Sequence, residues 1–260
     1  MTTDGMVVDV SQDWMLACDV QQAFMQPPCM ANDSWDYSAR CRQVRALGGD
    51  CYNFIPLKID RLALFVADAS GKGLAAALMI ANVQSSVRTA ALFTEDDLPA
   101  LLKVVNRQAY ASSSEARYAT LFYGVFDGST RTLRYVNAGH NPPVLIRRDA
   151  SMQDGSMHCL ETGGAPVGLF ADSEYREGTV KLETGDLLIA FTDGLTEATN
   201  QNGEEWGVQG LLQAAARGAQ CSQNTDDLVN LIFHSMDEFS KGHQTDDATL
   251  AVVRVGPPAL

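Results

Sequence analysis

The chain has 260 residues, 46% of them hydrophobic and 20% charged. That size buries a core without disulfides or a structural metal, and that composition excludes a disordered chain. A net charge of −13 repels phosphate backbones and anionic lipid, which excludes nucleic acid and membrane surfaces as partners.

The first patterned segment is Ser11–Met25, where Trp14, Cys18, Gln21 and Met25 fall at helical spacing and Pro27-Pro28 stops the helix. Ser38–Val44 reads as a strand running to Gly48-Gly49-Asp50. Leu62–Ala67 is an apolar run expected as a buried strand, closed by Asp68 and the turn Ser70-Gly71-Lys72-Gly73. An alanine-rich helix is predicted from Leu74 to about Leu92. Thr94 is the expected N-cap of the next helix, with Glu95, Asp96 and Asp97 in its first turn and Leu98, Leu101, Leu102 and Val105 on its apolar face.

The period then changes. Tyr118–Phe126 and Thr132–Asn137 read as strands joined by a hairpin through Asp127-Gly128-Ser129. Val144–Ile146, Met157–Leu160, Thr179–Leu182 and Leu187–Phe191 extend the β content. Helices are predicted near Trp206–Arg217 and Thr225–Phe239, and Ala248–Val255 is a last strand. No strict βαβ alternation appears, so helix pairs flanking antiparallel sheets fit better than a doubly wound parallel sheet. No repeat or linker interrupts the chain. The expected organisation is an N-terminal helical segment over residues 1–30 and one large domain over residues 31–260.

Cys18, Cys29, Cys41, Cys51, Cys159 and Cys221 form no C-x-x-C pair, so a zinc site has no spacing support and the thiols read as reduced. Met1–Val10 lacks a basic start followed by an apolar run, and Leu74–Val83 is too short to cross a bilayer. A cytoplasmic location is expected.

Four places put an aspartate at a strand end or in a Gly-bearing turn: Gly49-Asp50, Ala67-Asp68, Thr192-Asp193-Gly194 and Thr245-Asp246-Asp247. Carboxylates hold hard divalent cations, and such cations supply the charge that phosphoryl transfer needs. Each aspartate alone reads more readily as a solvated turn than as a site, so the signal lies in the combination.

The blocks GGDCYNF, FVADASGKGLAAALM, YATLFYGVFD, LRYVNAGHNPP, GGAPVGLF, GDLLIAFTDGLTEATN and TDDATLAVVRV occur in order from residue 48 to 255. In these the chain resembles the bacterial branch of the PPM phosphatases, the SpoIIE/RsbU type. The resemblance implies an α+β fold, a four-layer α-β-β-α sandwich of two mainly antiparallel sheets flanked by helix pairs. It also implies hydrolysis of phosphoserine or phosphothreonine with two Mn²⁺ or Mg²⁺ ions. Carried over by motif, Asp68 resembles the ligand bridging both ions. The Ala69 carbonyl and Asp50 fall on the second-ion side, and Asp193 and Asp246 resemble first-ion ligands, with Asp247 the neighbour that a one-residue shift would substitute. Many members carry a second aspartate where this chain has Asn53, a departure that bears on how tightly the second ion is held.

The resemblance further implies a phosphorylated protein substrate, with an anti-sigma-factor antagonist as the family's frequent one. It makes the N-terminal helix a candidate switch or homodimer element, against the equal alternative of a helix packed on its own domain. A signal is expected to arrive through a partner or the short N-terminus. The rival reading is a phosphatase-fold module that binds a phosphoprotein without turnover. No cysteine is followed six positions later by arginine, no D-x-D occurs, and Gly71-Lys72 lacks a P-loop's upstream glycine, so other phosphatase and nucleotidase chemistries are disfavoured. His140 reads as a loop-ordering hydrogen bonder ahead of a ligand, and Lys72 as a solvated lysine ahead of a contact to substrate phosphate.

Overall fold

The computed structural model describes residues 10–25, 30–31, 34–57, 60–94, 96–113, 117–148 and 157–257. In chain order these form α1 (Val10–Phe24), β1 (Met30–Ala31), β2 (Trp35–Arg42), β3 (Asp50–Pro56), β4 (Arg61–Ala69), α2 (Leu74–Ala91) and α3 (Leu98–Ser112). Next come β5 (Ala119–Asp127), β6 (Thr132–Ala138), β7 (Val144–Ile146), β8 (Met157–Cys159), β9 (Gly163–Gly164), β10 (Gly178–Lys181) and β11 (Leu187–Phe191). α4 (Asp193–Thr196), α5 (Gly207–Cys221), α6 (Thr225–Ser240) and β12 (Ala248–Val255) complete the described chain.

Among the described residues the strands make two sheets. One runs β1-β2-β12-β11-β7-β8, and the other runs β10-β6-β5-β4-β3 with β9 beside β6. All pairings are antiparallel except β6 with β9. Both sheets are buried on two faces, which is why Leu62–Ala67 has no polar alternation. On β4, Ala63, Phe65 and Ala67 pack under α2 and α3, while Leu62, Leu64 and Val66 meet the other sheet through Tyr37, Ala251 and Val253. On the far side, Ile189, Phe191, Leu250 and Val252 pack against Leu211, Ile232 and Phe233 of α5 and α6. The layers are therefore α-β-β-α, as the sequence predicts.

Three local expectations need correction. β3 was not anticipated as a strand, because burial on both faces places Asp50 and Asn53 inside and disguises the period of two. β2 begins at Trp35, ahead of Ser38. The polar Asp36 fits there because its carboxylate accepts the Thr225 amide at 2.9 Å and hydroxyl at 2.8 Å, at the start of α6. Thr94 is not a cap: its hydroxyl donates back to the Ala90 carbonyl at 2.8 Å, while Asp97 caps α3 by accepting the Ala100 amide at 2.9 Å. Glu95 lies outside the described residues.

α1 is fastened at its second half. The Gln21 side chain, 7% exposed, donates to the Gly48 carbonyl at 2.8 Å and accepts the Gly48 amide at 3.0 Å. The Phe24 carbonyl accepts Asn53 Nδ2 at 3.3 Å and Gln84 Nε2 at 2.5 Å. Trp14, Met15, Leu16 and Val20 remain exposed.

Candidate functional site

The antiparallel register of β3 and β4 sets Asp50 directly opposite Asp68. Residues opposite each other in such a pair present their side chains on one face a few ångströms apart, so two carboxylates meet at one end of the sheet. Like charges opposite each other are costly, and the protonation of the pair reflects that. Burial, and then the Asp68 charge, push the Asp50 carboxyl well above the usual range. Asp68 is pushed up to about 7, by burial first and then by Asp193 and Asp246.

The other sheet supplies the remaining groups. Asp193 opens α4 directly after β11, and Asp246 and Asp247 immediately precede β12. Burial, followed by Asp246, raises Asp193. Asp50 Oδ2 accepts two hydroxyls, Thr192 Oγ1 and Thr249 Oγ1, each at 2.7 Å. Thr192 and Thr249 lie on neighbouring strand ends and also bond each other, Thr249 N to Thr192 Oγ1 at 2.8 Å. These bonds cross from one sheet to the other and hold Asp50 in a single orientation.

Asp246 and Asp247 differ in use. Asp247 Oδ1 accepts the Val44 amide at 2.8 Å and Oδ2 the Gly49 amide at 2.7 Å, so both of its oxygens are engaged with the loop before β3. Asp246 Oδ2 receives the Lys72 ammonium at 2.6 Å, and Oδ1 accepts the Asp247 amide at 3.0 Å. Lys72 is half exposed, as a solvated lysine is expected to be, and is also ion-paired. Gly194 is required beside Asp193, since a Cβ there would run into the Asp247 carbonyl oxygen.

Asn53 does not face Asp50. Three positions along β3 it turns to the opposite side, toward α2, where it is 1% exposed and bonds to Phe24. Its placement gives no support to the expectation that it loosens a second ion. His140 behaves as the structural reading expects. Asn137 Oδ1 accepts its amide at 2.7 Å, and Nδ1 lies 2.8 Å from Thr120 Oγ1. Burial pushes its pKa down to about 4.

Sequence reasoning missed Thr192 and Thr249, whose signal was a threonine at each of two strand ends beside an aspartate. It also missed Glu197, which Asp193 holds above its ordinary pKa. Among the described residues no three acidic, imidazole or thiol groups already form a closed metal cage. Asp50 and Asp68 are within hydrogen-bonding reach of each other, while Asp193 and Asp246 act on Asp68 through their charge. A groove of about 390 Å³ lined by Phe24, Ile55, Gln84 and Arg88 lies at the end of α1 and contains none of these aspartates. The donor set at the sheet ends, all oxygen and strongly anionic, is the kind that takes Mg²⁺ or Mn²⁺.

A family model described as Stage II sporulation protein E (SpoIIE) matches residues 58–256. The phosphoserine phosphatase RsbU of Bacillus subtilis is 26% identical over 97% of this chain and 73% of its own length. Two further curated relatives are spanned over only 40% and 47% of their lengths. The fold is that of the SiaA-PP2C domain of Pseudomonas aeruginosa, with a TM-score of 0.78, 20% identity, and 94% and 96% of the two chains covered. It is also that of the catalytic domain of the serine/threonine phosphatase PstP in complex with two manganese ions. That match has a TM-score of 0.61 and 19% identity, covering 86% of this chain and 99% of the other.

Proposed function

From the premise that the chain belongs to the SpoIIE family, we propose that it is a metal-dependent protein phosphatase acting on phosphoserine or phosphothreonine of a partner protein. The observation that carries this reading is the Asp50–Asp68 cross-strand pair, faced by Asp193 and Asp246 from the opposite sheet.

In this reading Asp50, Asp68, Asp193 and Asp246, with the Ala69 carbonyl, hold two divalent ions, Mn²⁺ or Mg²⁺. Asp68, which interacts with Asp50 on its own sheet and with Asp193 and Asp246 from the other, would be the residue shared by both ions. Asp246 is favoured over Asp247 because Asp247 accepts two backbone amides of the loop before β3, whereas Asp246 accepts one backbone amide and a half-exposed lysine ammonium that an ion could replace. The ions supply, when bound, the positive charge that stabilises a transferring phosphoryl group and activates water. The protein's own part is positional. Thr192 and Thr249 orient Asp50, Asp247 fixes the Gly48-Gly49 loop, and Asp68, held up to about 7 by burial and its neighbours, would hold an ion as its carboxylate. The substrate class follows from relatives named as phosphoserine phosphatases. An anti-sigma-factor antagonist is the partner we infer. No described helix is long and apolar enough to cross a membrane, and we infer a cytoplasmic setting.

The second reading is a module that binds a phosphoprotein without turnover. It draws on the lack of a closed cage among the described residues. Turnover of p-nitrophenyl phosphate and of a phosphoserine peptide, with and without Mn²⁺, separates the two. Mn²⁺-dependent release of phosphate that disappears in Asp68→Asn supports the enzyme, whereas no release from well-folded protein at millimolar Mn²⁺ refutes it.

A further inference from the structure

Lys72 sits in the turn between β4 and α2, flanked by Gly71 at φ 91° and Gly73 at φ 78°. Both are conformations that L side chains rarely adopt. The base of this turn is fixed, because Ser70 donates its amide to the Tyr118 carbonyl at 2.8 Å and its hydroxyl accepts the Tyr118 amide at 3.1 Å. Beyond that base the backbone passes through open space at Gly71. The Lys72 side chain reaches across to the other sheet, giving its ammonium to Asp246 at 2.6 Å and to the Thr245 carbonyl at 3.2 Å. Its side chain is 50% exposed, so a dry environment does not force the pairing. A chain of net charge −13 has thus placed a half-exposed lysine on a carboxylate of its acidic cluster.

We propose that Lys72 is a built-in counter-cation for Asp246. It competes with the divalent ion for that carboxylate and, once displaced, swings on its two glycines to meet the phosphoryl oxygens of the substrate. This rests on the metal-phosphatase reading and assigns a role within it. The ammonium sits on Asp246 Oδ2, so an ion that takes that oxygen competes with the lysine for it. The released ammonium stays tethered beside the site, where the anionic group to be recognised is a phosphate monoester. Lys72 is thus a positioning residue in the empty site and a substrate-contacting one in the loaded site.

The test is calorimetric and uses the full chain stripped of metal. Mn²⁺ is titrated into wild type, Lys72→Met, Lys72→Arg and Asp246→Asn. Lys72→Met is expected to bind Mn²⁺ about two- to fivefold more tightly, the range a half-exposed ion pair commands. Lys72→Arg should match wild type, and Asp246→Asn should bind more weakly. A lysine with a merely structural role would, when removed, loosen the site, so the sign of the change decides. Inorganic phosphate titrated into the Mn²⁺-saturated proteins should bind Lys72→Met several-fold more weakly than wild type. Equal or weaker Mn²⁺ affinity in Lys72→Met overturns the competition, and unchanged phosphate affinity overturns the hand-over. Failure of wild type itself to bind Mn²⁺ overturns the phosphatase reading as well, which separates the two failures.

Discussion

Gly49 donates its amide to the Asp247 carboxylate at 2.7 Å, linking the residue before Asp50 to the residue after Asp246. Through this bond one carboxylate holds together two turns that carry candidate ligands from opposite sheets. Asp247→Ala leaves the buried Gly49 amide without an acceptor, which costs about 1–3 kcal/mol. Chemical denaturation is expected to show that loss together with a fall in Mn²⁺-dependent turnover. Full activity at reduced stability would show that the tie supports the fold alone.

Asp68→Asn should separate function from stability. It removes a carboxylate that burial and its neighbours hold up to about 7, so turnover is expected to vanish. The metal-free variant should nonetheless melt higher than wild type at pH 8, by about 2–4 °C for each kcal/mol of repulsion relieved. A lower melting temperature in chelator would refute the account of the Asp50–Asp68 pair.

The pH dependence of the metal-free protein has a definite sign. Asp68 titrates at about 7 when folded and near 3.9 when unfolded, so between those values the native state holds a proton that the unfolded chain lacks. Its stabilising contribution is complete below the unfolded value and is lost as pH rises through 7. His140, held down to about 4 against an ordinary value of about 6.5, acts oppositely. Its contribution grows as pH rises between those two values and is level above them. The melting temperature in chelator is therefore expected to fall from pH 6.5 to pH 8, and Mn²⁺ should reverse the fall. A rise over that interval in wild type, or an equal fall in Asp68→Asn, would contradict this.

A chain beginning at Asp33 loses the Gln21 clamp on Gly48 and the Phe24 carbonyl that receives Asn53 and Gln84. It is expected to unfold at lower denaturant than the full chain. Trp14, Met15, Leu16 and Val20 leave an exposed apolar surface on α1, which we propose meets a second copy. Light scattering is expected to report a dimer for the full chain and a monomer for the shortened one. Equal masses would assign α1 to its own domain alone.

The layers of the fold were legible because doubly buried strands such as Leu62–Ala67 and Leu187–Phe191 leave continuous apolar runs. β3 was hidden because its interior positions include Asp50 and Asn53, which carry hydrogen-bonding duties that no periodicity reports. The acidic residues of the site stood out through glycine and strand-end context. Their relationships did not, since the register opposing Asp50 to Asp68 depends on how β3 and β4 pair. Thr192 and Thr249 were invisible for the same reason, being 57 residues apart in sequence and joined only by neighbouring strands. The different duties of Asp246 and Asp247 needed coordinates, because both read alike in Thr245-Asp246-Asp247.

The hydroxyls that fix Asp50 come from the end of β11 and from β12, and β12 lies inside its sheet, between β2 and β11. The anchorage of Asp50 is therefore incomplete until that strand is seated between its two neighbours. A ribosome that has not yet delivered β12 holds a polypeptide with an unassembled centre. A chain lacking β12 is therefore expected to leave Asp50 without one of its two hydroxyl partners and without the strand that joins the halves of that sheet.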